Sequence, residues 1–352
     1  MTGRERVFAA VRGGRPDCCP VTPYDGNFCL RHSGYAIGDC YTDAATMARA
    51  QQIGRDKTGQ DTVNVQSEQY YICEALGVKT QLHKEALPSV LDVPVKELSD
   101  VEKLRVPDVE EGRMPVYIDA VRLLHEHYQG EVAIRACGTG PFTIAGHLMG
   151  LENFLTAIMA AEVEEDEESQ QYLLHMIDIC TDTLIRFATA CVQSGADIIQ
   201  NADSLASMNM ISPTIYKKYA WPFERKFFAA MDQLKPEHDF LKLLHICGNN
   251  SLVSPLMADT GCDIMIVDSK MDFDWLCKTV NNKVCLMGNL NPATTIYLGT
   301  PEQVQAEARA TMEIAARNHA RFCLGSGCEV AVDAPVENVR AMVEAGHAWK
   351  MN

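Results

Sequence analysis

Short apolar runs recur along this chain of 352 residues, and segments with helical patterning separate most of them. Runs of strand length lie near Val21 and at positions 62–65, 132–137, 197–200, 240–246, 264–267, 284–288 and 322–325. Eight strands that alternate with helices favour a barrel over a doubly wound sheet. The pattern therefore predicts an α/β fold, a single (β/α)8 TIM barrel.

Helix-start signals add detail to this prediction. Thr2 and Glu5 form a capping-box signature, which predicts an N-terminal helical extension that runs through Val11. Proline follows positions 140, 212, 300 and 334, where it would occupy the first helical position. The long stretch 77–130 between the second and third strands predicts an inserted hairpin followed by a helix. With no linker, low-complexity tract or repeat, residues 1–352 are expected to form one domain.

The amino-acid composition limits which cell compartment and which binding partners are expected. A formal net charge of −16 opposes binding to nucleic acid and to anionic membranes. No run approaches the roughly 20 apolar residues of a membrane span, and the first residues lack a signal-peptide core. The 14 cysteines do not indicate a disulfide framework in an unexported chain. Cys137, Cys180, Cys191 and Cys285 lie in apolar runs and are predicted to be buried, which fits a reducing, anaerobic cytoplasm.

Soft metal ligands follow two of the predicted strands. His245 and Cys247 end the run 240–244 and precede Gly248, and Cys328 lies just beyond the run 322–325. Since the carboxyl ends of barrel strands meet at one face, these three side chains are expected to converge. One histidine and two thiolates leave a fourth zinc position open, as catalytic zinc sites do. The alternative is an ordinary strand end with a hydrogen-bonded histidine and a packed cysteine.

Other cysteines and acidic residues are also candidates for this site. Cys323 falls within a strand run and Cys262 within a turn, so both are expected to be structural. Asp268 ends the run 264–267 and is a candidate fourth zinc ligand that substrate would displace; the alternative is a carboxylate that binds backbone amides in a loop. Glu329, beside Cys328, could orient a ligand or face water.

Three further polar residues at strand ends are candidate catalytic groups. Asn201 and Asp203 follow the run 197–200, where they could bind substrate or serve as structural hydrogen-bonding groups. Glu68 follows the second strand beside Tyr70 and Tyr71, where a carboxylate could act as acid or base, or could simply begin a helix. The acidic run 162–168 is interpreted as a solvated helix start, with a partner-docking patch as the alternative.

Several local motifs resemble those of the uroporphyrinogen decarboxylase superfamily, and the resemblance covers nearly the whole chain. They are Gly140-Pro141-Phe142-Thr143-Ile144-Ala145-Gly146, Gly195-Ala196-Asp197, Gly288-Asn289-Leu290-Asn291-Pro292 and Leu324-Gly325-Ser326-Gly327. The chain departs from the decarboxylases at their arginine-rich element, which corresponds to Arg31-His32-Ser33-Gly34-Tyr35. It also carries Ser326 in place of their histidine and Glu68 in place of their aspartate. Because a polycarboxylated substrate needs cations, decarboxylase activity is not expected.

The zinc, cobamide-dependent methyltransferase branch of that superfamily matches better. Its His-x-Cys and distant Cys ligands correspond to His245, Cys247 and Cys328, and a glutamate of that branch corresponds to Asp268. The resemblance implies Zn²⁺ in the chain and methylcobamide or cob(I)amide supplied by a partner corrinoid protein. It also implies methyl transfer between that cobalt and a small-molecule donor or acceptor.

The direction of transfer stays open from the sequence. The residues around Glu68 differ from those of the coenzyme M enzymes, which leans the interpretation toward a methoxylated aromatic donor. The alternative is a methylcobamide:thiol methyltransferase of the coenzyme M type. A barrel that binds a corrinoid protein without catalysis is the third hypothesis.

Overall fold

The computed structural model describes residues 1–65, 68–136 and 138–350. Its α-helices are α1 (Gly3–Val11), α2 (Gly26–His32), α3 (Ile37–Cys40), α4 (Ala44–Thr58), α5 (Tyr71–Ala75), α6 (Met114–Tyr128), α7 (Pro141–Met149), α8 (Leu151–Val163), α9 (Glu167–Gln193), α10 (Pro213–Ile215), α11 (Trp221–Asp232), α12 (Ser254–Met257), α13 (Phe273–Val280), α14 (Pro301–Arg317) and α15 (Val336–Ala348). Its strands are β1 (Thr62–Asn64), β2 (Lys79–Gln81), β3 (Ser89–Asp92), β4 (Ala133–Ala136), β5 (Ile198–Ala202), β6 (Leu241–His245), β7 (Ile264–Val267), β8 (Cys285–Leu290) and β9 (Phe322–Ser326). Short 3-10 or π-helical turns span Leu98–Lys103, Ser204–Ala206, Tyr216–Ala220 and Pro292–Tyr297.

The strands form the predicted barrel. Seven parallel strands make one sheet in the order β1-β4-β5-β6-β7-β8-β9. The segment around Val21 takes the eighth place: the backbone N–H of Thr22 donates to the carbonyl of Leu324 (2.7 Å), and that of Asp61 donates to the carbonyl of Val21 (2.9 Å). Because this segment bonds both to β9 and to the residue before β1, it joins the two edges of the sheet. The prediction of a TIM barrel is confirmed.

Helix α1 is the predicted N-terminal extension. Thr2 and Glu5 form the capping box at its start. Its apolar residues, Val7 and Phe8 among them, share a compact core with Ile198 and Ile264, which lie at the first positions of β5 and β7. The helix therefore packs against the amino ends of the strands, opposite the face where active sites occur in this fold.

The insertion between the second and third barrel strands also matches the prediction. β2 and β3 pair in antiparallel orientation, and α6 follows them. Three of the four predicted helix starts are correct, because α7, α10 and α14 each begin at a proline. The fourth is displaced by one residue, since Pro335 is the N-cap of α15 and the helix begins at Val336.

Most cysteines have a packing role, as predicted. Cys180, Cys191 and Cys285 are buried, and the cysteines of the described residues form no disulfide. Cys137 lies outside the described residues. Within those residues, no single helix has both the length and the apolar composition of a membrane span; α7 and α8 meet that test only as a pair, across a bend of 104°.

Candidate metal centre

Three predicted ligands converge at the carboxyl ends of β6 and β9. His245 is the last residue of β6, and its Nε2 lies 3.2 Å from the Sγ of Cys247 and 3.7 Å from the Sγ of Cys328. The two sulfur atoms are 3.2 Å apart. Tetrahedral zinc, with bonds of ~2.3 Å to sulfur and ~2.0 Å to nitrogen, would hold such pairs ~3.5–3.8 Å apart. Small side-chain shifts would therefore let these three atoms bind one ion.

Glycines on both loops allow the cysteines to reach this position. Gly248, directly after Cys247, has a φ of +90°, and a Cβ there would lie 2.8 Å from the Oγ of Ser207. Gly327, directly before Cys328, packs so closely on the backbone of Ser269 that it leaves no room for a side chain. The two loops therefore make close contacts that require glycine next to each cysteine.

The electrostatics favour one thiolate in this cluster. A hydrogen bond from Cys328 and the neighbouring His245 lower the pKa of the Cys247 thiol, whereas the thiolate of Cys247 and burial raise the pKa of Cys328. The Oγ of Ser204 lies 3.5 Å from the Sγ of Cys247 and adds a further polar contact. A divalent cation would favour the thiolate form of both sulfurs, since metal-bound thiols are deprotonated.

The histidine ring is oriented by packing. Its edge meets the ring of Tyr24 at a centroid distance of 5.6 Å and an interplanar angle of 86°. His245 is buried, and its Nδ1 has no hydrogen-bonding partner among the described residues. The ring thus directs Nε2 toward the sulfurs without a polar group behind it.

Asp268 lies beside the three ligands but is not one of the converging group. Its Oδ2 accepts a hydrogen bond from the backbone N–H of Gly248 (2.7 Å), and its Oδ1 accepts one from that of Lys270 (2.9 Å). In this structure the carboxylate therefore binds backbone amides in a loop, which was the alternative interpretation. Its role as a fourth, exchangeable ligand stays a prediction.

Asn201 and Asp203 are not brought to the metal cluster. Ile198 faces the barrel interior and Ile199 faces the outer helices, so strand alternation directs Gln200 inward and Asn201 outward. The carboxylate of Asp203 accepts hydrogen bonds from the backbone N–H groups of Phe142 (3.2 Å) and Thr143 (2.7 Å) at the start of α7. These contacts of Asp203 fix the start of α7, and the catalytic roles of Asn201 and Asp203 stay predictions.

Glu68 belongs to a separate polar network. Its Oε1 accepts a hydrogen bond from the hydroxyl of Tyr117 (2.9 Å) and lies 2.8 Å from a guanidinium nitrogen of Arg113. Burial raises its pKa, although Arg113 opposes the shift. Glu68 lines a cavity of about 230 Å³ together with Tyr24 and Glu329. Its role as acid or base stays a prediction.

A larger cavity opens directly onto the two sulfur ligands. Its volume is about 460 Å³, and its walls come from the loops that follow β5 to β9. Its lining residues are Ser204, Ser207, Asn209, Met210, Cys247, Gly248, Asp268, Ser269, Lys270, Asn291, Pro292, Ala293, Thr294 and Cys328. A substrate that approaches the metal through this cavity would meet both sulfurs first.

The family follows from comparison with known proteins. The family model described as "Uroporphyrinogen decarboxylase (URO-D)" matches residues 2–349. The chain belongs to this family. The expected resemblance is thus confirmed over nearly the full length.

Several of the relatives are methyltransferases. The "Methylcobamide:CoM methyltransferase MtbA" of Methanosarcina acetivorans is 29% identical, and the match covers 99% of this chain and 98% of the relative. The "Methylated-thiol--coenzyme M methyltransferase" of Methanosarcina mazei is also 29% identical, over 98% and 89% of the two chains. A solved structure, "methyltransferase from Methanosarcina mazei", superposes with a TM-score of 0.85 at 27% identity and covers 98% of each chain.

Sequence reasoning did not find Tyr24, Ser204 or Lys270. Ser204 and Lys270 each lie within two residues of a predicted site residue, but neither has a side chain that signals metal chemistry. Tyr24 precedes the site by more than two hundred positions, and only the closure of the barrel brings its ring to His245.

Proposed function

We propose that this chain is a zinc-dependent methyltransferase that moves a methyl group between the cobalt of a partner corrinoid protein and a small thiol. The observation that carries the proposal is the convergence of His245, Cys247 and Cys328 at the mouth of the barrel, within 4.8 Å of one another. Full-length similarity to methylcobamide:CoM and methylated-thiol:coenzyme M methyltransferases supports it. We further propose that residues 1–352 act as one barrel domain.

The sequence leaned toward a methoxylated aromatic donor, but the relatives favour the thiol alternative. The names of the relatives specify coenzyme M chemistry. The decarboxylase alternative also loses support: Arg31 is exposed and pairs with Asp333 (2.8 Å), and the Oγ of Ser326 accepts a hydrogen bond from the backbone N–H of Tyr24. Both side chains therefore already have partners within the fold.

Each residue of the site would have a distinct role in the proposed reaction. His245, Cys247 and Cys328 would hold zinc, which as a Lewis acid lowers the pKa of a bound thiol so that its thiolate is present at neutral pH. The cavity of about 460 Å³ would admit the thiol next to the sulfur ligands. Asp268 holds the loops that carry Cys247 and Lys270 in register. Burial of His245 keeps bulk water from that side of the cluster.

The corrinoid protein would dock over the same mouth. Exposed apolar side chains lie on the loops beyond β5, β6 and β8, namely Met210, Leu252, Tyr297 and Leu298, and Met210 also lines the cavity. Apolar groups that surround an active-site opening suit a protein partner better than water. A corrinoid bound there would present its cobalt to the cavity that holds the thiol.

Zinc content and thiol methylation together test the proposal. Protein purified under reducing conditions should contain about one zinc per chain and should transfer methyl from methylcobalamin to a small thiol. Cys328→Ala should lose zinc and activity together. Cys262→Ala is the matched control, because Cys262 is buried away from the cluster. Zinc-free protein after metal resupply, or full activity in Cys328→Ala, would contradict the proposal.

A further inference from the structure

Lys270 supplies a positive charge to the cavity that contains the two sulfur ligands. It lines that cavity with Cys247 and Cys328, its side chain is exposed, and it has no ion pair with the described residues. The chain has 47 acidic and only 31 basic residues, so carboxylates that could pair with a lysine are abundant, yet Lys270 pairs with none among the described residues. Two nearby lysines do pair, Lys278 with Asp274 and Lys283 with Asp259.

The backbone of Lys270 is held in place by both cysteine loops. Its N–H donates to Asp268, whose other oxygen accepts from Gly248, next to Cys247. The preceding residue, Ser269, packs on Gly327, next to Cys328. The backbone at Lys270 is therefore anchored to the two loops that carry Cys247 and Cys328.

Among the described residues that line this cavity, Lys270 is the cation that can attract a ligand. Asp268 is the other charged residue that lines the cavity, and both its oxygens already accept hydrogen bonds from backbone amides. The described lining of the neighbouring cavity, of about 230 Å³, includes Glu68 and Glu329 but no lysine or arginine. An anionic group is therefore favoured on the Lys270 side.

We propose that Lys270 is a specificity-determining residue that binds an anionic group, a sulfonate or a carboxylate, at the far end of the thiol substrate. The inference rests on the proposed function, because it assumes that the sulfur of the thiol lies at the metal cluster. A charged hydrogen bond between the ammonium and the anion would then fix the thiol in the cavity and select against neutral and cationic thiols.

Thiols that differ at the far end test the assignment. The substrates are 2-mercaptoethanesulfonate, 3-mercaptopropionate, 2-mercaptoethanol and cysteamine, each methylated from methylcobalamin by the zinc-loaded protein. Lys270→Met should lower kcat/KM roughly tenfold or more for the two anionic thiols and less than about twofold for 2-mercaptoethanol. Lys270→Glu should shift the preference toward cysteamine. The ratio of sulfonate to carboxylate shows which anion the site prefers.

Calorimetric binding of 2-(methylthio)ethanesulfonate gives a readout that does not require turnover. Wild type should bind it and Lys270→Met should bind it roughly tenfold more weakly, whereas Lys283→Met, which removes a paired surface lysine, should match wild type. An equal loss for all thiols in Lys270→Met, or unchanged binding of the thioether, would overturn the assignment. If wild type binds the thioether through Lys270 yet methylates no thiol, the proposed function fails and the anion site remains.

Discussion

The carboxylate of Asp268 accepts a hydrogen bond of 2.7 Å from the backbone N–H of Gly248, the residue that follows Cys247. This contact joins the loop beyond β7 to the loop beyond β6. The position of the Cys247 sulfur is therefore set by backbone geometry in its own loop and by a side chain from the next one. Groups of this kind orient metal ligands and are expected to affect metal affinity.

Gly248→Ala should weaken zinc binding about tenfold without unfolding the barrel. The φ of +90° is unfavourable for alanine, and the new Cβ would press on Ser207. Competition with a chromogenic chelator measures the affinity. Gly59→Ala is the matched control: its φ is +85°, but its Cβ would meet only Val343 at 3.8 Å. Both variants should lose about 1–2 kcal/mol of unfolding free energy, so equal zinc affinity in the two would contradict the prediction.

His147 should make the fold sensitive to mild acid. Burial lowers its pKa to about 4, and its Nε2 shares a hydrogen bond of 3.0 Å with the side chain of Gln69. As the pH falls from about 6.5 to about 4, the unfolded chain gains a proton that the folded chain excludes. The stability contribution is therefore complete above pH 6.5, and about 3 kcal/mol of it is lost across this window.

Urea unfolding at pH 7 and pH 4.5 measures this contribution. His147→Gln keeps a side chain that can donate to Gln69 but does not titrate, so it should lose less stability on acidification than wild type. His175→Gln, at an exposed position of α9, should behave like wild type. The same pH dependence in all three proteins would show that His147 is not the sensitive group.

Leu252→Glu should impair methyl transfer from the corrinoid protein but not from free methylcobalamin. Leu252 is 75% exposed on the loop beyond β6, and a carboxylate there would oppose apolar docking. We expect the KM for the corrinoid protein to rise about tenfold with an unchanged rate on the free cofactor. Val163→Glu, an equally exposed apolar position on α8, is the control. A parallel loss of both activities in Leu252→Glu would assign the residue to the cavity instead.

The convergence of the three candidate ligands could be predicted because barrel topology brings strand ends together. His245 and Cys247 are neighbours in the sequence and Cys328 lies 81 residues beyond Cys247, but each follows a recognisable apolar run. Once the runs are assigned to parallel strands of one barrel, their carboxyl ends must share a face. A histidine and two cysteines at strand ends form a ligand set for a soft metal, which distinguishes them from buried thiols within strands, such as Cys323.

The direction of individual side chains could not be predicted in the same way. Barrel strands are buried on both faces, so their sequences are continuously apolar and do not show which residues face inward. The sequence does not show whether Asn201 or Gln200 points into the barrel, and the structure directs Gln200 to the interior. The hydrogen bonds of Asp203 and Asp268 with backbone amides depend on loop conformations that no local pattern specifies.

The closure of the barrel also determines when the metal centre can form during synthesis. Thr22, beside the first barrel segment, bonds to Leu324, which is 302 positions later in the chain. The ribosome therefore releases His245 and Cys247 well before Cys328 is synthesised, and the barrel stays open at one seam until Leu324 has emerged. A nascent chain would carry two of the three candidate ligands through that interval, so under the proposed function zinc would bind after the barrel closes.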